Sequence, residues 1–532
     1  MPETNKLISH FYLKIEGAQV SEDFMRDLLE ITVDNSLHMP DVATIVLNDP
    51  RLKWIDDALV MPGKTVEISA TATVQGSKPK PVFDGEIVEL EPDFGVNTHR
   101  LVIRAFDRLH RLSRGRKVRS FQNVTDGDVA KRFAGEAGLQ ADVETTRQVH
   151  PYLFQNNQTN LDFLRQRASA IGYLLYVLGK KLCFKPLTQA PNPVELRWNA
   201  TLSEFKPRLT TMEQVNTVSA QGWDPKTRNE IASEVTRGNG MREIGPAKQG
   251  GDLAKEAFKI EAPHLVTSTP LRSQTGADQL AKAFADRQAE RFIEAEGACV
   301  GNPAIVAGAS VKIDAIGQRF SGTYFVTSAT HSFSTKQGFT TRFSISGQTP
   351  STLLRVLRGD DHIPPTLGLV VGIVTDNQDP DGWGRIKVKY PWLSKEHASD
   401  WARVVSVGGG AERGIEFLPE VNDEVLVGFE MGDVHHPYIL GGLWNGKDAP
   451  PKKNQQVISG GRVEQRIIRS RTGHLFLFDD SDGGSGITVS DKNGNKITFE
   501  TGSNKLVIDV KGDLSIKAGG KIDIKGTMIN LN

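Results

Sequence analysis

The feature that most constrains the fold of this chain is a short repeat at its C-terminal end. From residue 486 onward, pairs of apolar residues separated by one residue recur every seven to ten residues, with a glycine between successive pairs. The pairs are Ile487/Val489, Ile497/Phe499, Leu506/Ile508, Leu514/Ile516, Ile522/Ile524 and Ile529/Leu531. A period near eight with two apolar residues per repeat indicates short strands stacked along an axis.

One repeat is too small to enclose a core, whereas three copies, each contributing one face of a triangular prism, would enclose one. We therefore predict an intertwined β-needle over residues 486–532. Its expected core consists of Ile497, Phe499, Leu506, Ile508, Leu514, Ile516, Ile522 and Ile524. For the first two repeats, up to residue 504, a meander of antiparallel hairpins is the alternative, because Asn493 and Gly494 suit a tight turn.

Residues 368–446 show a different pattern, in which short apolar segments alternate with turn sequences. Five strands are predicted, at residues 369–374, 384–390, 401–407, 424–429 and 437–442. Asp-Pro-Asp-Gly at 379–382 is one of the turn signals between them. Five short strands in this space are typical of a small closed barrel of the oligonucleotide/oligosaccharide-binding (OB) type.

The first 350 residues have the pattern of mixed β and α structure. Alternation of apolar and polar residues predicts strands at 11–15, 43–47, 65–70 and 101–106. Residues 236–256 are rich in glycine and charge and are expected to form a mobile loop. Residues 356–367 contain two prolines and are expected to link two domains.

Three helices are predicted in the same region, each opening on a Thr-x-x-Asp sequence in which the threonine caps the first turn. They start at Thr125, Thr159 and Thr275. The second is expected to stop at Gly172. The third is expected to stop near Gly297 and to carry Phe292 and Ile293 on its apolar face.

Composition excludes several classes of function. Lys plus Arg and Asp plus Glu both number 64, so no basic field for a nucleic-acid backbone is expected. Cys183 and Cys299 are the two cysteines; they exclude a disulfide framework and are expected to be buried. The N-terminus lacks the pattern of a secretory signal peptide, and no apolar run is long enough for a transmembrane helix.

Five segments carry a family resemblance. Residues 368–392, 400–405 with 414–429, and 432–446 resemble the barrel of phage baseplate hub spikes and of type VI secretion VgrG proteins. Residues 151–168 resemble the hub signature of phage late control D proteins. The whole is most similar to the VgrG-like spikes of extracellular contractile injection systems, which are phage-tail-like particles.

The resemblance implies a mainly β fold with an α+β hub, an OB-fold barrel and a C-terminal triple-stranded β-helix in an intertwined trimer. The expected domains are a hub of two tube-like barrels with helical segments at 1–355, a linker at 356–367, the barrel at 368–447, a connector at 448–485 and the needle at 486–532. Three chains would present six similar barrels and so match a hexameric inner-tube ring.

The implied function is that of a homotrimeric central spike that caps the inner tube, nucleates the baseplate and pierces a target envelope. Its expected partners are the inner-tube protein, baseplate wedge proteins, a PAAR-type tip protein and, transiently, the target membrane. Synthesis and assembly in the cytoplasm are expected, within a released or membrane-docked particle. The tip protein is expected to dock on Ile529, Asn530, Leu531 and Asn532, because the prism end exposes apolar side chains and backbone edges.

The candidate chemical groups do not assemble into an expected active site, so we predict no enzyme, metal site or cofactor. Asp433, His435 and His436 are placed in a polar turn, and the acidic run at 479–482 lacks the spacing of a calcium loop. The glycines at 408–414 lack the Lys-Ser/Thr ending of a phosphate loop. The candidate stacking aromatics of the barrel are more simply core or trimer contacts; they are Trp383, Tyr390, Trp392 and Trp401.

Two other functions remain as alternatives. One is a baseplate-associated peptidoglycan hydrolase, for which Glu416 and Glu420 are the candidate carboxylate pair. The other is an OB-type carbohydrate-binding module.

Overall fold

The computed structural model describes residues 11–71, 78–96, 98–186, 192–224, 226–227, 229–238, 243–244, 249–266, 270–334, 338–347, 368–391, 393–394 and 396–530. The predicted linker at 356–367 lies outside these residues, as do Trp392, Leu531 and Asn532. Contacts divide the chain into two units, Met1–Gly441 and Gly442–Asn532. Within the described residues, no helix has both the length and the apolar character needed to span a membrane.

The first part of the chain is built from seven strands and one short helix. These elements are β1 (Phe11–Ile15), β2 (Ala18–Gln19), α1 (Glu22–Asp27), β3 (Leu28–Ser36), β4 (Val42–Asn48), β5 (Thr65–Ala70), β6 (Lys80–Phe94) and β7 (His99–Asp107). All four strands predicted here are confirmed. Their alternate residues, such as Leu13, Ile45 and Ile103, are fully buried in one cluster, because successive side chains of a strand point to opposite faces.

An α+β insertion follows a 3₁₀ helix at Arg108–Ser113. It contains β8 (Lys117–Thr125), α2 (Asp126–Glu136), β9 (Gln140–Val143), β10 (Val149–Gln158), α3 (Asn160–Ile171), β11 (Tyr173–Leu178) and β12 (Lys181–Pro186). Two predicted helices are confirmed: Thr125 caps α2, and Thr159 caps α3 by accepting from Asp162 N. The second ends at Gly172, whose φ of 71° is the left-handed conformation that glycine adopts without strain.

The next region returns to β structure around one long helix. It contains β13 (Val194–Arg197), β14 (Leu202–Leu209), β15 (Thr217–Asp224), β16 (Asn229–Val235), β17 (Glu243–Ile244), α4 (Gly250–Phe258), β18 (Pro263–Val266), α5 (Gln274–Glu290), β19 (Ile293–Val300), β20 (Ser310–Asp314), β21 (Gly322–Phe325), β22 (Ser328–Ser334) and β23 (Gly338–Ile345). Cys183 and Cys299 are buried, as expected.

Two predictions for this region are wrong in part. Helix α5 is capped by Ser273, whose hydroxyl accepts from Gly276 N, and not by Thr275, which lies inside the first turn. It ends at Glu290, so that Ile293 belongs to β19 rather than to the helix. The predicted loop at 236–256 includes β17 and most of α4, whose Leu253 packs against the neighbouring core.

One antiparallel sheet joins the two β regions. Its strand order is β14-β19-β23-β22-β3-β4-β7-β6-β5-β1-β2. The junction is the pairing of β22 with β3, which runs from Ser328 opposite Ser36 to Ser334 opposite Glu30. The second half packs against the sheet β13-β20-β21-β17 around a separate apolar cluster. The two halves therefore have separate cores but share one hydrogen-bonded sheet.

The five strands predicted at 368–446 form a closed barrel. They are β24 (Val370–Asp376), β25 (Lys387–Lys389), β26 (Arg403–Val404), β27 (Glu424–Phe429) and β28 (Pro437–Gly442), in the order β25-β24-β27-β28-β26. Ile386 and Ala402 close the ring through two backbone hydrogen bonds, of 3.0 and 2.7 Å. Val374, Val388 and Val425 fill the interior.

The unit from Gly442 onward begins with helix α6 (Asn454–Val457) and a hairpin of β29 (Ile458–Ser459) and β30 (Arg462–Val463). A five-stranded antiparallel meander follows, made of β31 (Gln465–Arg469), β32 (Leu475–Asp479), β33 (Gly486–Ser490), β34 (Lys496–Glu500) and β35 (Lys505–Asp509). The hairpin alternative therefore describes residues 486–504 of the single chain, and the meander continues to Asp509, into the part where only the needle was predicted. Residues 510–530 form neither helix nor strand in it.

Candidate functional site

The C-terminal meander presents one apolar face, and we take this face as the main candidate site. Strand register places Ile468, Phe476, Val489, Ile497 and Ile508 in one row across the five strands. A second row, on the same face, contains Phe478, Ile487, Phe499 and Leu506. We call these nine side chains the apolar face.

The opposite face of the meander is mainly polar. Thr488, Thr498 and Val507 lie directly opposite one another across β33, β34 and β35, flanked by charged residues such as Lys496 and Glu500. A sheet with one apolar and one polar face is built to cover the first and to expose the second to water.

The apolar face is uncovered in the single chain. No described residue from 442 to 530 is buried, whereas each β region of the first unit has fully buried side chains. The eight predicted needle-core residues are between 41% and 67% exposed. Contiguous exposed apolar surface of this kind marks a site of association rather than a finished core.

The structure brings together only part of the predicted core. Ile497 pairs with Ile508, and Phe499 pairs with Leu506. The other four residues lie in the stretch that forms no strand; they are Leu514, Ile516, Ile522 and Ile524. Of the predicted tip-docking residues, Ile529 and Asn530 are exposed, and Leu531 and Asn532 lie outside the described residues.

The apolar face also begins earlier than the repeat suggested. Ile468, Phe476 and Phe478 belong to β31 and β32, within the stretch expected to be a connector. The continuous apolar run Leu475-Phe-Leu-Phe is consistent with a strand, but its spacing to the next apolar pair is longer than the repeat. Periodicity alone therefore missed these residues.

A second apolar surface lies on the outside of the barrel. Val371 and Leu426 are paired across β24 and β27, and both side chains point away from the interior. Leu369 and Leu440 are exposed and lie on either side of Gly428. A side chain added at Gly428 would contact both of them. An outward apolar stripe across three strands is a further surface suited to association.

The polar candidates of the barrel are held by local pairing. The carboxylate of Asp433 lies 2.6 Å from Nδ1 of His435 and 3.2 Å from Nδ1 of His436. Burial raises the pKa of Asp433, but its hydrogen bonds with the two histidines outweigh this and hold that pKa well below its usual range. In the described part of the chain, no three His, Cys, Asp or Glu side chains are arranged to hold a metal ion.

The aromatic residues of the barrel divide between its core and its surface. Tyr390 is buried in the interior. Trp383 and Trp401 lie on the outside, where the guanidinium of Arg385 is 4.7 and 6.0 Å from their ring centres. Arg385 is in turn held by Asp379, and this hydrogen bond lowers the pKa of the Asp379 carboxyl. The Arg385 guanidinium therefore already contacts the two tryptophan rings on which a ligand would have to stack.

The remaining candidates lie on exposed turns. Glu416 and Glu420 belong to an exposed stretch before β27. The acidic run at 479–482 is organised locally, since the Asp479 carboxylate accepts from Ser481 N and from the amide of Gln465. The glycines at 408–414 form an exposed turn closed by hydrogen bonds between Gly410 and Arg413.

Comparison with protein families gives two matches. A family model described as the Alg8 N-terminal domain matches residues 5–335, which is more than half of the chain. A second model, described as the type VI secretion system/phage-baseplate injector OB domain, matches residues 370–444. The second match coincides with the five-stranded barrel.

The curated relatives include type VI secretion system spike proteins. The type VI secretion system spike protein VgrG5 of Pseudomonas aeruginosa is 28% identical over 167 residues, which are 29% of this chain and 20% of that protein. The spike protein VgrG3 of Vibrio cholerae is 34% identical over 91 residues, which are 16% of this chain and 9% of that protein. The matched segments thus span a fifth or less of these two relatives.

Solved structures share the fold over most of the chain. A chain of the structure described as the Francisella PdpA-VgrG complex, half-lidded, aligns with a TM-score of 0.55 at 9% identity, covering 95% of this chain and 87% of that chain. The Escherichia coli c3393 protein, described as a component of the type VI secretion system similar to the T4 tail proteins gp27 and gp5, aligns at 0.52 and 13% identity. That alignment covers 81% of this chain and 99% of the c3393 chain.

Proposed function

Since this chain belongs to the Alg8 N-terminal domain family and to the VgrG-like spike proteins of contractile injection systems, we propose that three copies of it form the central spike of such a particle. The spike caps the inner tube, nucleates the baseplate and is driven into a target envelope when the sheath contracts. Its role is mechanical rather than enzymatic.

The observation that carries this proposal is the uncovered apolar face of the meander. Covering the exposed part of nine large apolar side chains yields about 1 kcal/mol each, on the order of 10 kcal/mol per chain. Three identical faces turned toward one axis cover one another and leave the polar faces outside. Closure by threefold symmetry also leaves no lateral sheet edge to fray under load.

The same symmetry accounts for residues 510–532. Leu514, Ile516, Ile522 and Ile524 repeat at a spacing too short for one chain to build a core, so we propose that they form the core of a triple-stranded β-helix. In that arrangement each chain obtains its strand partners from the other two copies. The exposure of all four side chains in the single chain supports this assignment.

The hub is proposed to meet the inner tube. Each chain carries two β halves with separate cores joined in one sheet, so three chains present six comparable halves to a hexameric tube ring. Baseplate wedge proteins would bind the outside of the same hub. Assembly would take place in the cytoplasm, before the particle is released or docked at a membrane.

A PAAR-type tip protein is proposed to bind the needle through Ile529, Asn530, Leu531 and Asn532. The described part of this segment is exposed and includes large apolar side chains at Met528 and Ile529. Contact with the target membrane would then be made by the tip and the needle, and only transiently.

Truncation tests the role assigned to the needle. We expect a chain ending before Gly502 to lose the trimer or to form a much weaker one, because it lacks four of the six apolar pairs. Light scattering of the truncated and full-length chains at equal concentration measures this. An unchanged trimer would show that the needle does not hold the copies together. Clear peptidoglycan lysis by the full-length chain in a zymogram would contradict the mechanical role.

A further inference from the structure

Strand β10 sends successive side chains into two different cores. Leu153 is buried in the core of the α+β insertion, together with Phe121 and Phe163. Phe154, the next residue, is only 2% exposed and belongs to the core cluster of the OB barrel, together with Val374 and Val427. One strand of the hub thus supplies a core residue to a domain that begins more than two hundred residues later in the sequence.

Neighbouring side chains extend this contact. Tyr152 lies on the same side of the strand as Phe154, with its ring stacked 6.1 Å away. Its hydroxyl donates a 2.7 Å hydrogen bond to the carbonyl of Ala398, in the barrel. Val118, on the partner strand β8, also packs against the barrel cluster. Burial raises the pKa of the Tyr152 hydroxyl, so the donor stays protonated at any physiological pH.

A second, polar contact joins the two parts elsewhere. The guanidinium of Arg272, just before helix α5, donates a 2.5 Å hydrogen bond to the carboxylate of Glu430 in the barrel. The hydroxyl of Tyr438 donates to the same carboxylate at 3.2 Å. Both charged side chains are about one third exposed, so this contact adds little to affinity and mainly fixes the orientation of the barrel relative to the hub.

We infer that β10 is a docking strand that locks the OB barrel onto the hub, with Phe154 as the anchor and with Tyr152 and Arg272 as positioning residues. An interior-like contact resists compression and rotation, whereas a polypeptide connection alone resists only extension. A force applied at the hub would therefore reach the barrel through this interface. The inference concerns each chain by itself and does not depend on the number of copies.

Cleavage of the covalent connection tests this lock directly. A recognition sequence for a site-specific protease is inserted between Gly359 and Asp360 of the full-length chain, and the native protein is cut and passed over a size-exclusion column. We expect the hub and barrel fragments to elute together in equal amounts. Separation of the two fragments in the otherwise unchanged chain would overturn the inference.

Substitutions identify the anchor. Phe154→Ala is expected to release the hub fragment, and Phe154→Leu, which keeps most of the apolar volume, to retain it. Phe94→Ala is the matched control, because Phe94 is exposed on the hub far along the chain from either contact. Co-elution of the fragments in Phe154→Ala would contradict the assignment, as would release in Phe94→Ala.

A milder variant keeps the test decisive if Phe154→Ala does not fold. Arg272→Ala leaves both cores intact and removes a partly exposed ion pair, so the dissociation constant of the cut fragments should rise roughly threefold. An unchanged constant would contradict the positioning role. The ratio of the two fragments reports whether the barrel stays docked on the hub. The mass of the eluted complex reports the number of copies. Failure of the docking inference is therefore distinguishable from failure of the proposed trimer.

Discussion

Ile497 of β34 lies directly opposite Ile508 of β35, and the two side chains are still 41% and 52% exposed. Paired aliphatic residues on a strand normally mark a buried sheet face. In the single chain these two side chains belong to the apolar face, which remains exposed. The strands of the meander are paired with one another, but their apolar face is not buried. This is what we expect for a single chain of the proposed intertwined trimer.

Charge placed on this face should therefore prevent association. We expect Ile508→Asp to weaken the trimer strongly, because three carboxylates would meet near the axis in an apolar environment. Thr498→Asp is the matched control on the opposite face of the neighbouring strand, and it should leave the trimer intact. Sedimentation velocity at several concentrations measures both. Equal effects of the two substitutions would contradict the assigned orientation of the sheet.

The start of helix α5 gives a second prediction. Ser273→Ala should lower the free energy of unfolding by about 1 kcal/mol, because Gly276 N loses the hydroxyl that accepts its hydrogen bond. Thr275→Ala should cost clearly less, since Thr275 lies inside the helix and does not cap it. Urea denaturation of both variants measures the difference. A larger loss for Thr275→Ala would restore the helix start expected from the sequence.

A buried acid pair in the hub gives a prediction about pH. Burial, together with the nearby charge of Asp41, raises the pKa of Asp107 to about 8. In the unfolded chain this carboxyl ionises near its usual pKa of 3.8, so between roughly pH 4 and pH 8 the folded state holds a proton that the unfolded state has lost. The group therefore lowers stability progressively as the pH rises through that window.

Asp107→Asn should remove this penalty, because an amide oxygen can still accept from Leu109 N. We expect the variant to raise Tm more at pH 8.5 than at pH 4.5, as measured by thermal unfolding at both values. Asp93→Asn, at an exposed position of β6, is the control and should change Tm little at either pH. A gain for Asp107→Asn that is the same at both values would contradict the role of ionisation.

Local sequence signals predicted much of the fold. The strands at 11–15 and 65–70 and the helices capped by Thr125 and Thr159 follow from alternation and capping, which depend on neighbours within one turn. Helix α5 was misplaced because Ser273 and Thr275 are both good caps, and only the backbone path selects between them. Helix α4 was missed because its first turn contains two glycines, and the packing of Leu253 stabilises it from outside.

The candidate site was predictable only where the repeat is regular. The spacing of the repeat identified Ile497, Phe499, Leu506 and Ile508. Phe476 and Phe478 are separated from the next apolar pair by more residues than the repeat allows, and only the strand register shows that they lie on the same face. The contact of Phe154 with the barrel had no sequence signal, because it depends on the tertiary packing of segments more than two hundred residues apart.

The mass of the full-length chain in solution tests the central claim most directly. Light scattering coupled to size-exclusion chromatography should give three times the chain mass of 58.4 kDa, and the value should hold on dilution. A mass of 58.4 kDa at micromolar concentration, with a folded chain by circular dichroism, would contradict the account. In that case the apolar face of the meander would need an occupant other than two further copies.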